Sequence, residues 1–381
     1  MIRNFNIDHV HASVRMAGFE VENGISEYHL MIRNGDGCTF EQQVESVFGA
    51  LDHVCEYTLD CAVPVFLRCF ISDAANQTEI LQRALPERCN CAVSIIEQPP
   101  LDGSKIALWV YLMTDVEPVC TGSGMWKAEH NGYSHLWTAY RSGRGGDSES
   151  QMKGVLDSYG TSLGAHGCTI ADNCLRTWIY VQDVDVNYAG VVKGRREFFD
   201  GKGLVPQTHY IASTGIAGKN CFPDSLVTFD AYSVKGLQDA QVAYLKGATH
   251  LNPTHEYGVT FERGTSVTYG DRRHVLISGT ASIDNKGQVV FPGDVCRQTM
   301  RMWENVEVLL DEAGCTFDDV VHMIVYLRDM ADFKTVKEMY DERFPMCPKV
   351  FLWAPVCRPG WLVEMECMAV RPCHSETFPA L

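Results

Sequence analysis

The stretch Trp361–Val370, WLVEMECMAV, carries two carboxylates two residues apart in an otherwise apolar run. Strand alternation would set Leu362, Glu364, Glu366 and Met368 on one face. Burial penalises the charged form, so such a carboxyl favours its neutral state. A glutamic acid of raised pKa can hand a proton to the carbon of an enol ether or an enamine. The same spacing has a second reading, in which both acids pair with arginines across an internal interface. Arginines are at hand. Arg176 opens RTWIYV, Arg263 lies in FERG, Arg195 and Arg196 are adjacent, Arg328 lies in YLRD and Arg358 in CRPG. A substrate bearing carboxylates would draw on two or more of them, because the guanidinium fork matches a carboxylate. Arg176 and Arg263 are the expected ligand contacts. Arg195 and Arg196 are set behind them, since only one of that pair can face inward. A third feature is Ser278-Gly279-Thr280, which ends the run HVLI just before an Asn-Lys-Gly turn. Small residues there either let a ligand approach the backbone or let Gly279 form a bulge. No G-x-S-x-G elbow frames these residues, so a serine nucleophile is not indicated.

The elements that would position these groups repeat along the chain. The interval Gln151–Gly167 equals the interval Gln298–Gly314, and both segments then read Gly-Cys-Thr-x-x-Asp. Both reach a Tyr-x-x-Asp at a strand end, Asp183 and Asp329, with Phe198 and Phe344 at the same distance beyond. A weaker copy starts at Gln43 and supplies its own strand-end acid, Asp73. In the third copy Met302, Val306, Leu309, Leu310 and Ala313 share one helical face that Gly314 ends. The strand VVHMIVYL follows, then a second helix over DFKTVKEMYDERF with Asp332 as N-cap and Phe333, Val336 and Tyr340 inward. KVFLWAPV and WLVEMECMAV are the closing strands, and a hairpin of HVLISGTASI with GQVVF precedes the first helix. The order is β-β-α-β-α-β-β, an α+β unit with both helices on one sheet face. Three units, 1–117, 118–245 and 246–381, can bury their bare sheet faces against one another as an intrachain pseudo-trimer.

Composition narrows the function. The chain has 381 residues, 48 acidic against 32 basic, and a formal charge of −16, which repels phosphate backbones and disfavours nucleic acid as a partner. Sixteen cysteines are scattered with no C-x-x-C pair, so reduced buried thiols are expected rather than zinc. No motif implies a metal or an organic cofactor. No signal peptide and no membrane-length apolar run is apparent, and the expectation is a soluble, cytoplasmic protein.

The third copy resembles the RidA (YjgF) superfamily over nearly its whole length. SGTASID, the run ENVEVLLDEAGCTFDDVVHMIVYLRDMADF and LVEMECMAV carry the likeness. That resemblance implies chorismate-mutase-like units arranged as a trimer with ligand clefts between them. It implies Glu364 as the catalytic acid, with Glu366 as a second candidate, and places Ser278, Gly279 and Thr280 at the cleft. Where RidA keeps a carboxylate-binding arginine this chain has Lys349, and where RidA keeps an asparagine it has Lys337. Lysine attracts a carboxylate without the bidentate fork. The second copy matches these positions with Thr208 and Val191. Tyr257 falls where RidA places an active-site tyrosine. At the two acid positions the second copy has Thr228 and Asp230, and the first copy has none, so one working cleft is expected. Copies two and three together resemble the chorismatase branch, on LRTWIYV, VKGRREFF, STGIAG, SGTASI, GDVCRQ and CRPGWLVEME. Such enzymes are single chains of fused units that split the enolpyruvyl ether of chorismate and release pyruvate. Some carry a reacting cysteine where this chain has Cys357. The expected function is addition of water to an enol-ether, enamine or imine carboxylate. The rivals are a non-catalytic carboxylate-binding module and an endoribonuclease, the latter opposed by the acidic charge and by the lack of a histidine acid–base pair.

Overall fold

A computed structural model describes residues 1–34, 37, 39–59, 61–122 and 124–381. The chain folds into three α+β units of one topology. The first has β1 (Ile2–Ile7), β2 (Ala12–Phe19), β3 (Glu27–Asn34), α1 (Phe40–Tyr57), β4 (Ala62–Ile71), α2 (Ala74–Ala84), β5 (Ala92–Glu97) and β6 (Ile106–Thr114). The second has β7 (Val119–Cys120), β8 (Trp126–His130), β9 (Tyr133–Ser142), α3 (Ser148–Gly164), a single turn α4 (Ile170–Asn173), β10 (Cys174–Val181), α5 (Val184–Asp200), β11 (Ala212–Ala217) and β12 (Val227–Lys235). The third has β13 (Val242–Leu245), β14 (Gly264–Thr268), β15 (Arg272–Ala281), α6 (Val295–Glu312), β16 (Val320–Leu327), α7 (Phe333–Arg343), β17 (Lys349–Trp353) and β18 (Val363–Pro372). Each sheet has six strands, and the third runs β13-β14-β15-β18-β16-β17. Only the last pair in that order is parallel, which is why a helix crosses over between its strands.

Three details differ from the sequence reading. A third strand precedes the first helix in each unit, because β15 forms its hairpin upstream with β14, while residues 288–291 contribute only the bridge Ile283–Val289. Val242–Leu245 pairs into the third sheet, so that unit begins before the expected break at 245. Asp332 precedes α7 but its side chain caps nothing there, whereas Asp329 accepts from Ala331 N at 2.8 Å. No described helix is long and apolar enough to cross a membrane.

The helices cover one face of each sheet, and the opposite faces meet at a common axis. Phe66 and Trp109 of unit one, Trp137, Trp178 and Tyr232 of unit two, and Tyr326 of unit three are buried there. A buried arginine–carboxylate pair closes each seam between units. Arg68–Asp230 at 2.9 Å joins units one and two, Arg176–Glu366 at 2.8 Å joins two and three, and Arg272–Glu27 at 2.8 Å joins three and one. Main-chain bridges reinforce the seams, among them Ile216–Val356 and Pro100–Leu352. Buried pairs of this kind add little net stability against an apolar substitute but penalise any mispaired arrangement.

Candidate active site

Glu364 enters β18 opposite Ala281 of β15 and Tyr326 of β16, at the seam between units two and three. A cleft opens there whose empty space, mouth included, is about 470 Å³. Unit two supplies Tyr188 and Arg195 from α5 and Ser213 and Gly215 from β11. Unit three supplies Gly279 and Ala281, the segment Tyr257–Arg263, and the loop bearing Cys357, Arg358 and Trp361. Among the described residues no hydrogen bond ties the Glu364 carboxyl. Burial raises its pKa to about 8, with the neighbouring charge of Glu366 adding and Arg176 and Arg263 opposing. At neutral pH it is therefore a protonated acid facing a cavity.

Three guanidinium groups share that cavity. Arg195 donates from Nε to Thr260 Oγ1 at 3.1 Å and from Nη1 to Ser213 Oγ at 3.4 Å. Arg263 donates from Nη2 to Asn252 O at 3.0 Å and lies over the Tyr257 ring. Arg358 donates to Tyr257 O at 2.9 Å. Among the described residues Arg195 Nη2 and Arg263 Nε are buried donors with no acceptor in bonding geometry. A buried charged donor left unsatisfied is costly, so both are poised for an anion. Cys357 lines the cleft, but burial pushes its thiol up to about 12, with Glu364 adding to the rise. It is a resting thiol and not a nucleophilic thiolate.

Gly279 is where backbone and acid come closest. A Cβ built on it would lie 2.3 Å from Glu364 Oε1. The bulge at residues 278 and 279 breaks the expected alternation of Ser278, Thr280 and Ser282. Ser278 is buried behind the cleft, donating to Glu262 O at 2.6 Å and accepting from Ser213 N at 2.9 Å. Thr280 donates to Ser278 O at 2.9 Å. Gly279 alone of the three reaches the cavity.

Several other expected residues lie elsewhere. Glu366 sits deeper along the same strand face, accepting from Arg176 Nη2 at 2.8 Å, from Trp178 Nε1 at 2.7 Å and from Thr214 Oγ1. Those three donors hold it in place, and neither it nor Arg176 lines this cleft. Lys349 is buried at the other side of unit three, on the seam with unit one, donating to Phe344 O at 2.7 Å. Strand register also moves its counterpart in unit two: Lys349 pairs with Met323 as Ser213 pairs with Thr177, so Ser213 and not Thr208 is equivalent. Arg263, Tyr257, Gly279, Cys357 and Glu364 are brought together. Arg195, which the sequence sets behind the other arginines, and Tyr188, which no motif marks, join them. Val184, Tyr188, Val191, Arg195 and Phe198 follow one helical stripe, and that periodicity marks both as inward-facing.

The other two seams lack the acid. Register sets Thr228 of unit two and Ala107 of unit one where unit three has Glu364. At the bulge of unit two Tyr140 stands where unit three has Gly279, held at φ 58° with its hydroxyl 3.4 Å from Cys221 Sγ. Its ring packs against the core of unit one and fills that seam.

Comparison with known proteins places this architecture. The family described as endoribonuclease L-PSP matches residues 265–371. A RutC family protein of Pyrococcus abyssi is 34% identical over 99 residues, covering 26% of this chain and 78% of the relative. The 3-aminoacrylate deaminase RutC of Acinetobacter baylyi is 35% identical over 101 residues, covering 25% of this chain and 77% of its own. The crystal structure of a chorismatase superposes with a TM-score of 0.65 at 20% identity, covering 81% of this chain and 93% of its own, a likeness of fold. The chain belongs to the RutC family within the RidA superfamily, with three of its units fused in tandem.

Proposed function

We propose that the cleft between units two and three adds water to a small carboxylate bearing an enol ether, an enamine or an imine. The carrying observation is the uncommitted, protonated Glu364 carboxyl facing guanidinium donors that lack acceptors. Arg195, Arg263 and Arg358 would hold the carboxylates. Three guanidinium groups suit a dicarboxylate better than a single carboxylate. With an enol ether, Glu364 gives its proton to the terminal CH2 carbon and the double bond becomes an oxocarbenium ion. Water adds to the oxygen-bearing carbon of that cation, and the Glu364 carboxylate takes the proton released. The hemiketal then breaks its C–O bond to the leaving alcohol, giving a keto acid such as pyruvate. With an enamine the same protonation gives an iminium. Water adds to the iminium carbon, and ammonia leaves, giving the oxo acid. The cleft, fenced by Trp361, Tyr188 and Tyr257, limits access of bulk water to the cation.

Names borne by relatives supply two trial substrates, chorismate and 3-aminoacrylate. The test is incubation of the full chain with each, following pyruvate release from the first and ammonia release from the second, with Glu364→Ala alongside. Turnover of one substrate that the substitution abolishes is the expected result. Turnover that survives Glu364→Ala would remove Glu364 as the acid. Ligand binding with no turnover would leave a binding module.

A further inference from the structure

The seam between units three and one repeats the geometry of the cleft just described but carries different chemistry. Ala107 stands at the register of Glu364, so no proton donor faces this seam from β6. Opposite Ala107, in the place of Ala281, stands Arg33 of β3. Arg15 of β2, Lys337 of α7 and Lys349 of β17 complete a set of four cations around a recess whose empty space is about 460 Å³. Two acids face them. Asp102 pairs with Arg33 at 3.3 Å. Asp341 is shared by Lys337 and Lys349, the latter at 3.3 Å. Among the described residues Arg15 reaches only a main-chain carbonyl, Pro345 O. Lys349 is 7% exposed and Arg15 crowds its charge; burial first and that repulsion second lower its pKa.

Among the described residues this local excess of two positive charges runs against a chain of net charge −16. Like charges gathered in a half-buried recess repel strongly, because the medium screens them poorly. Composition does not account for the gathering, and the two acids do not neutralise it. Phe333 and Phe351 wall the recess on one side, which limits the water that could screen the charges.

We propose that the Arg15, Arg33, Lys337 and Lys349 recess is a second, non-catalytic site for a small dianionic oxyanion, either a phosphate group or a dicarboxylate. The excess of two cations sets the ligand charge. The absence of an acid at Ala107 makes the site one that binds and does not react. The inference does not depend on the reaction assigned to the Glu364 cleft.

Calorimetric titration of the full chain at low ionic strength tests it, with inorganic phosphate and malonate as separate probes. Arg33→Ala and Lys337→Ala are half-buried or surface changes that the fold should tolerate. Arg195→Ala reports on binding in the other cleft. The expected result is a dianion site, apart from any binding in the Glu364 cleft, that survives Arg195→Ala and weakens by about tenfold or more in Arg33→Ala and in Lys337→Ala, the loss of one charge-assisted contact. Tighter binding of phosphate or of malonate identifies the source of the charge. Binding of neither probe, binding untouched by Arg33→Ala and Lys337→Ala, or binding lost entirely with Arg195→Ala would each overturn the proposal.

Discussion

Two glutamates on one strand face meet opposite fates. Glu366 accepts three hydrogen bonds and an arginine charge, whereas Glu364, two residues nearer the rim, accepts none and is raised to about 8. Environment alone separates an acid from a structural anion. Glu364→Gln keeps the shape and removes the proton, so turnover should fall by roughly 10²–10⁴-fold while ligand binding persists; paired kcat and Kd measurements check this. The substitution should also change stability with pH in a defined sense. A carboxyl whose pKa is higher folded than unfolded binds more protons in the folded state between about pH 4.5 and 8, so its contribution to stability declines as pH rises through that window. Glu364→Gln removes the decline, and thermal unfolding should show the variant gaining on the parent at pH 9 relative to pH 5. The acidic pair, its face and the idea of a proton-tuned carboxyl are all legible in WLVEMECMAV. Which acid is which is not, because alternation reports the side of a strand and not the depth along it. Arg176 misleads for the same reason: its pairing with Glu366 needs the third dimension.

At the level of elements, a bulge and a helix stripe build the cleft. The bulge at Ser278-Gly279 turns one backbone unit toward the acid, and only a residue without Cβ leaves Glu364 its position. In Gly279→Ala the new methyl meets the tip of the Glu364 side chain, which can swing away, and Thr214 Cγ2 at 3.0 Å, which must give slightly. The acid is then misplaced while the sheet stays intact. Activity should drop by roughly 10²-fold, the scale of a 1 Å misalignment, and the denaturation midpoint should barely move. The bulge in unit two shows the alternative, with Tyr140 in the same place and the seam filled. The glycine is visible in the sequence as a candidate for a bulge or for a cleft, and it serves as both. The helix faces are equally visible, α6 from its apolar stripe and α5 from Val184, Val191 and Phe198. The hairpin partner of β15 was not, because GQVVF alternates as well as GTSVT and only register with β13 favours the latter.

Across the whole molecule, fusion lets three seams diverge. In a homotrimer every seam must carry the same residues; here one holds the acid, one is plugged by Tyr140 and one gathers cations. The repeat that reveals this architecture is plain in Gly-Cys-Thr-x-x-Asp and its flanks, while the seam assignments need strand register. The buried ion pairs fix which unit meets which. Arg176→Met takes the nearer guanidinium from Glu366, leaving Arg68 at 3.9 Å, and should cost roughly 3 kcal/mol by chemical denaturation, most of it restored by adding Glu366→Leu. The axis also buries histidines as neutral rings. Burial lowers His29 to about 3 and pulls His135 and His322 well below their ordinary value. The unfolded chain takes up protons below about pH 6.5 that these folded rings refuse, so stability should fall steadily from pH 7 toward pH 4, measurable as melting temperature against pH.

The central claim is that Glu364 rests as a neutral acid in an anion-binding cleft. The direct measurement is the carboxyl carbon shift of Glu364 against pH, by NMR on the full chain labelled at glutamate, with Glu364→Gln to assign the signal. The account predicts a carboxyl that stays protonated through pH 7 and ionises near 8. Ionisation near the ordinary glutamate value, complete by pH 6, would contradict it and leave the cleft without its proton donor.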